Sequence, residues 1–342
     1  NDCAFTENSA KTGGAVQIDA GAAYATIFSH CTFLQNTATD SIGGAIFQYG
    51  GIMSVSNSTF SDNKAPYGGA IRNARNSTLS IFNSVFNNNG SIKSGGALSL
   101  YQGRDTLINN LFIGNKDSST TRGGGAVCAG SGDFYFINNT CYADTTLGYG
   151  GALRSESADG SLNVYNNIFY KNSGALGDAD VNNITTAYTQ SNNSFSNVDP
   201  SFVDEADHDG EDNIFGTADD GLKPSVTSPA LNAGDNARLP ANIHTDISGL
   251  GRITGSAVDL GAYEEQVTIG NVIYVNPSVA ASGDGSSWAT AFKELRDALS
   301  FANLHTEVDS VLIAGGAYKA TATTGRTVSF NITRSKLKLY GG

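Results

Sequence analysis

The chain returns to two signatures at a near-fixed interval. Gly-Gly followed by Ala and an aliphatic residue occurs at Gly13-Gly14, Gly43-Gly44, Gly68-Gly69, Gly95-Gly96, Gly124-Gly125 and Gly150-Gly151, at spacings of 30, 25, 27, 29 and 26 residues. Between these stands Phe-x-x-Asn, at Phe5/Asn8, Phe33/Asn36, Phe60/Asn63, Phe86/Asn89, Phe112/Asn115 and Phe169/Asn172. One beat is replaced by Cys141 to Asp144, and Phe195 marks a degenerate last one. A self-similar period of roughly 20–50 residues marks a solenoid. Each unit holds two or three short alternating runs, such as GGALSLY and TLINNLFIGN. Alternation turns one face inward, and a single coil cannot bury that face alone, so coils stack as parallel strands.

Equivalent positions then become ladders. The Phe ladder fills the core, and the Asn residues sit at corners, where amides bond backbone groups from coil to coil. A second Asn precedes most Phe positions by three residues (Asn57, Asn83, Asn109, Asn138, Asn166, Asn192), with His30 in that place in the second coil. Gly-Gly makes a tight corner whose second residue is expected to need a positive φ. Leucine-rich and helical repeats need patterns that are absent. The expected fold is therefore all-β: a right-handed parallel β-helix of about eight coils, a rod of roughly 38 Å.

Composition agrees. Gly reaches 41 residues, Pro only 6, and charged residues 15%, which suits short strands and tight turns. A net charge of −12 argues against nucleic acid, because phosphate binding needs basic patches. No apolar run is long enough for a membrane span. The opening NDCAFTENSA has no signal-peptide pattern and reads as the middle of a domain. Cys3, Cys31, Cys128 and Cys141 are too few for a disulfide scaffold and lack zinc-site spacing; they read chiefly as small buried fillers, with bridges between neighbouring coils as the alternative.

The alternation of GGA[IVL] with FxxN over residues 1–172 resembles the repeats of the chlamydial polymorphic outer membrane proteins, which are surface-exposed adhesins and autotransporters. That resemblance implies a passenger-type β-helix. Those proteins end in a membrane β-barrel, and nothing in this sequence resembles one. Residues 192–264, with VDPSFVD, SPALNAGD, TD, GRI and VDLGAYE, resemble the closing segment of large secreted bacterial β-helix proteins of the choice-of-anchor type. This implies a secreted, extracellular or cell-surface location and a structural or adhesive role.

Residues 199–220 carry nine acidic side chains and no Lys or Arg. DHDGED sets carboxylates at alternating positions around a Gly turn, a gathering of hard oxygen ligands that suits calcium. Asp207, Asp209, Glu211, Asp212, Asp219 and Asp220 are the candidate ligands of a structural calcium ion, a solvated acidic loop being the alternative. Residues 221–265 would cover the open end of the last coil. The sequence then starts again: VIYVN reads as a strand, GDGSSW as a turn, and Leu295, Ala298, Leu299 and Ala302 as one helical face. SVLIAGGAYKA, TVSFNIT and KLKLYGG are expected strands of a following module, joined by a short linker over 264–271.

The expected division is 1–198 for the coils, 199–265 for the acidic loop and C-terminal cap, and 266–342 for the capped start of a second β-helix module with one short helix. Neighbouring copies or modules of the same protein, stacked head to tail, and surface glycans are the expected partners. The rival reading is a polysaccharide-degrading or polysaccharide-binding β-helix protein, since fold does not decide function. An enzyme needs clustered carboxylates or basic residues in a cleft. Asp178 and Asp180, expected on one strand face near Arg154, Glu156 and Asp159, make a thin case for one. No Ser-His-Asp arrangement or nucleotide loop appears. Tyr24, Tyr49, Tyr101 and Tyr149 read as corner packing or as a sugar-binding face.

Overall fold

The structure, a computed structural model, describes every residue except 20, 22–23, 267–269, 306–307 and 322–327. Each coil carries four strands, more than the alternation suggested. In the third coil they are Thr59–Ser61, Lys64–Tyr67, Ile71–Ala74 and Ser77–Phe82. Equivalent strands pair in parallel, building four sheets of seven strands each, numbered sheets 1 to 4 in that order. Two of the four strands per coil are often only two or three residues long, too short for alternation to register. The result is a parallel β-helix.

Corners explain the fourfold division. The asparagines three residues before each Phe hold φ between 46° and 58°, a left-handed conformation that Asn tolerates better than most residues. The residue after each FxxN midpoint does the same, as at Gln35, Asp62 and Asn88. At Gly-Gly it is the first glycine that has the positive φ, 65° at Gly43, not the second as expected. The second is required for space: a Cβ on Gly44 would lie 1.9 Å from the Gly69 carbonyl oxygen of the next coil.

The core is a column of rings. Phe5, Phe33, Phe60, Phe86 and Phe112 stack face to face with centroids 4.6, 4.6, 4.9 and 5.0 Å apart. Each buried Phe contributes about 1.5–3 kcal/mol. Cys141 takes the next place in register between Phe112 and Phe169. The gap is filled from sheet 4 by Phe136, 5.8 Å from Phe112 and 6.0 Å from Phe169. All four cysteines are free, with Cys3 exposed and the other three buried.

Beside the rings runs a buried amide ladder. Asn63 Oδ1 accepts from both the backbone N–H and the Nδ2 of Asn36 (2.9 Å each), and Asn63 Nδ2 donates to the Phe33 carbonyl at 2.9 Å. Asn89 and Asn115 repeat the pattern. Asp144 interrupts it. Its Oδ1 accepts from Asn115 (2.8 and 2.9 Å), but Oδ2, where an amide would donate to the Phe112 carbonyl, has no partner among the described residues.

Residues 199–265 do not plug the open end as expected. They form an irregular strap along the outer surface of sheet 1. Leu222, Ile247, Leu260 and Tyr263 of the strap pack on Val85, Leu111, Tyr142 and Ile168. The corner asparagines fasten it: Asn109, Asn138, Asn166 and Asn192 donate to the carbonyls of Thr245, Asp259, Asp235 and Ala233 at 2.9, 3.0, 3.1 and 2.9 Å.

The last segment has its own core. Strands Val272–Val275, Ser310–Ile313 and Lys338–Gly341 make a three-stranded parallel sheet, against which helix α1, Leu295–Leu304, buries Leu295, Ala298, Leu299 and Ala302. Residues 328–333 of TVSFNIT form no strand; Asn303 holds them through the Asn331 carbonyl and the Thr333 N–H. Thr327 and linker residues 267–269 lie outside the described residues. Val226 packs on this core and Asn232 meets His305 at 3.3 Å, so the segment contacts the strap of its own chain.

Burial raises the Asp144 carboxyl to about 8, against the pull of the Asn115 donors. The folded state therefore holds this proton more tightly than the unfolded chain. Its contribution is favourable at low pH and is lost as pH rises from the unfolded pKa near 4 through about 8. Asp144→Asn restores the amide donor. Urea denaturation is expected to show the variant more stable than the parent by about 1–3 kcal/mol at pH 8, with little difference at pH 4. Asp105, raised to about 7 by burial, adds the same slope to both proteins and drops out of the comparison.

Candidate functional site

Three polar regions stand out against the ladders. The first lies inside the strap and explains the closing motifs. Arg252, 1% exposed, donates to the carbonyls of Asp259 (3.1 Å) and Gly261 and meets Glu264 Oε2 at 3.3 Å. Glu264 accepts the backbone N–H groups of Thr254 (3.0 Å) and Asp259 (2.9 Å). Asp246 receives the Glu264 N–H, and Asp259 those of Asn232 and Glu265. Burial pushes the Glu264 carboxyl upward, and the Arg252 guanidinium opposes it. Thus the TD, GRI and VDLGAYE residues form a clasp that ties the strap to itself.

The second is the acidic loop. Asp220 is buried; it accepts from the Gly216 N–H at 2.7 Å and from the Tyr263 hydroxyl. Desolvation pushes both of these groups up. Asp219 faces the other way. It accepts from Thr217 Oγ1 at 2.6 Å and the Asp212 N–H at 3.2 Å, and the Thr217 bond holds its carboxyl below the ordinary range. The turn at Gly210, φ 65°, packs against Asp219. The loop thus joins Asp212 with Asp219 and turns Asp220 away into the strap core. Asp207 and Glu211 are exposed and Asp209 half-buried. Among the described residues, no three His, Cys, Asp or Glu side chains are gathered as a metal centre.

Asp178 and Asp180 do not share a strand face. The strand begins at Val181, and Asp178, with φ 51°, breaks the alternation. Asp178 binds Asn182. Asp180 turns inward to accept from Asn172 (3.1 Å) and from both the N–H and hydroxyl of Ser196 (2.8 and 2.6 Å), closing the amide ladder.

The third region was not legible as a cluster. Where sheet 2 turns into sheet 3, Arg72, Lys93 and Arg122 lie 5.6, 5.2 and 5.8 Å from the centre of the Tyr67 ring. Arg72 also donates to Ser99 and lies 5.4 Å from the Tyr101 ring, and Arg154 lies 4.7 Å from Tyr149. One carboxylate faces this group: Glu156, 3.2 Å from Arg122 and 3.6 Å from Arg154. Arg72 and Arg154 share one rung of sheet 3 three coils apart, and Lys93 and Arg122 each stand two residues before a Gly-Gly pair, but the two positions meet only where sheet 2 turns into sheet 3, so no local motif exposes the group. The useful signal was register, because Lys64 and Lys116 stand two periods apart on sheet 2.

Stacked coils, a side strap and outward polar faces define a parallel β-helix repeat protein. Residues 57–74 match the repeat of the Chlamydia polymorphic membrane proteins, and the chain is similar to those proteins in this repeat. The matched stretch runs from the corner at Asn57 through the sheet 1, 2 and 3 strands of the third coil. No curated protein and no solved structure matches the chain. No helix among the described residues is long and apolar enough to cross a membrane.

Removing one partner of a buried ion pair leaves the other charge uncompensated, at a cost of about 3–5 kcal/mol. Arg252→Leu is therefore expected to free the strap. Limited proteolysis should cut within 221–265 in the variant and spare this stretch in the parent, and thermal unfolding should begin at lower temperature.

Proposed function

We infer that this chain is a segment of a bacterial cell-surface protein built from β-helix modules in tandem, with a structural or adhesive role. The observation that carries the reading is the repeat itself: seven coils whose equivalent strands pair coil to coil, with a matched unit that recurs in a family of membrane proteins. The Arg252, Glu264, Asp259 and Asp246 cluster is engaged by hydrogen bonds inside the strap, as suits a stalk. The strap covers sheet 1 and, through Ile243 and Arg238, the adjoining edge of sheet 4, and leaves the outer face of sheet 2 open to contact. The second small core at 271–342 supports tandem arrangement, in which modules stack head to tail.

Location is tested by protease shaving of intact cells that express the full protein. Release of fragments from this segment, before permeabilisation, is the expected result. Protection until the cells are opened overturns the surface reading.

Calcium belongs to the same proposal as a stiffener of the loop. With Asp219 and Asp220 already engaged, the ion would fall to Asp207, Asp209, Glu211 and Asp212 around the Gly210 turn. Melting of the full chain in calcium and then in chelator is the check. A clear drop in Tm with chelator, lost in an Asp209→Asn/Glu211→Gln variant, is expected; an unchanged Tm removes the ion.

A further inference from the structure

The outer face of sheet 2 carries a groove that neither the repeat nor the strap explains. One depression of about 420 Å³ is floored by Ala38, Ala65 and Pro66 and flanked by Lys64, Lys116 and Ile92. A second, of about 320 Å³, continues from Ile92 and Ser118 along Ser119–Thr121 to Lys93, Arg122 and Tyr67. Shared lining at Ile92 and Ser118 makes them one shallow channel across several coils.

Register accounts for its shape. Lys64, Gly90 and Lys116 occupy the same place on successive coils. Gly90 has no side chain, and the nearest atom to a Cβ there would be Lys64 Cγ at 3.9 Å. The gap between the two lysines is therefore open, and they stand two coils apart, roughly 10 Å.

The charges point the same way. Lys64, Lys93 and Lys116 are exposed, and none has an ion-pair partner among the described residues. The acid beneath them, Asp117, is fully buried and held by Ser91 (2.7 Å) and Thr146 (3.1 Å), so it faces inward. At the far end three cations crowd one tyrosine with Glu156 as their counter-charge. Like charges gathered this closely repel, and a ligand anion relieves that repulsion. All this occurs on a chain of net charge −12.

We propose that this channel binds an acidic polysaccharide, one bearing carboxylates on spaced sugar units. An open channel that crosses coils suits an extended chain rather than a small molecule. Thr37, Thr39, Ser118, Thr120 and Thr121 offer hydroxyls to sugar hydroxyls, and Pro66 and Ile92 suit the apolar faces of sugar rings. Lysines separated by an empty rung match charges separated by sugars. A densely charged polyphosphate is disfavoured by the acidic remainder of the molecule. The proposal deepens the adhesive half of the reading above and rests on it.

The test is calorimetric titration of the full chain with oligogalacturonate, in chelator, against dextran as the neutral counterpart and poly-aspartate as an acidic peptide. Binding to oligogalacturonate alone, weakening with salt, is expected. Lys64→Gln/Lys116→Gln and Lys93→Gln/Arg122→Gln should each weaken it about tenfold, with unchanged melting, while Arg104→Gln on sheet 4 leaves it intact. Equal binding to dextran, equal binding to poly-aspartate, or indifference to both double variants overturns the proposal. Shaving and titration fail independently: loss of glycan binding with surface release intact removes the groove alone, and protection from shaving removes the location.

Discussion

A buried side-chain amide that accepts from one coil and donates to another makes this stack possible. Each coil turns sharply beside sheet 1, and a turn in left-handed backbone takes its N–H and C=O groups out of the strand ladder. The FxxN asparagine repairs both: its Oδ1 takes the N–H of its equivalent in the neighbouring coil, and its Nδ2 satisfies the carbonyl of a Phe. Left unpaired, each buried group would cost about 1–3 kcal/mol. Summed over seven coils, that would exceed the usual net stability of a domain, about 5–15 kcal/mol. The ring column follows from the same stacking, because the phenylalanines stand in register on paired strands of sheet 1.

A second ladder shows how much chemistry the same geometry tolerates. Two residues before each Phe, Cys31 N–H donates to Ser58 Oγ, Ser58 N–H to Ser84 Oγ, and Ser84 N–H to Asn110 Oδ1. From Asn110 onward the acceptors are amides. The hydroxyls also donate to a carbonyl two residues back in their own coil, Ser58 to Ser56 and Ser84 to Phe82, whereas the longer amide of Asn110 reaches the Ile81 carbonyl of the preceding coil. Cys141 and Asp144 are the corresponding exceptions in the first ladder. One loses a ring and is repacked by Phe136 from another sheet; the other loses a donor, and nothing replaces it.

These distinctions bear on what the sequence discloses. The period, the inward Phe and the Asn ladder are written at fixed spacing, and the β-helix follows from them. The α1 face at Leu295, Ala298, Leu299 and Ala302 is local and was equally legible. What was misjudged depends on long-range placement. Gly44 and its equivalents are glycine because another coil's carbonyl lies against them, a fact absent from any one unit. The strap lies along sheet 1 because corner asparagines, already required for their φ, have amides to spare. Asp178 and Asp180 are two residues apart, yet one left-handed residue sends them to different environments. In the candidate site, the acidic run was visible as composition, but composition does not say that Asp220 would turn inward to Tyr263. Around Tyr67, Lys93 and Arg122 share the position two residues before Gly-Gly on successive coils, but Arg72 comes from sheet 3, so only folding brings the three to one ring.

The same division separates stability from recognition. Inward positions are constrained by every neighbouring coil, and a change there must be answered nearby, as Phe136 answers Cys141. Outward positions at the start of the sheet 2 strands answer chiefly to those directly above and below. They can vary from Thr37 to Lys64 to Gly90 to Lys116 without disturbing the stack. Outward charge is therefore the part of the molecule least explained by folding. On this chain it is sorted, with acids concentrated in the strap beside sheet 1 and uncompensated lysines on sheet 2. Such sorting contributes little to stability, since exposed pairs are worth at most about 1 kcal/mol. It does create a local positive field within an overall negative one, which admits a sparsely charged polyanion at short range and repels a dense one at long range.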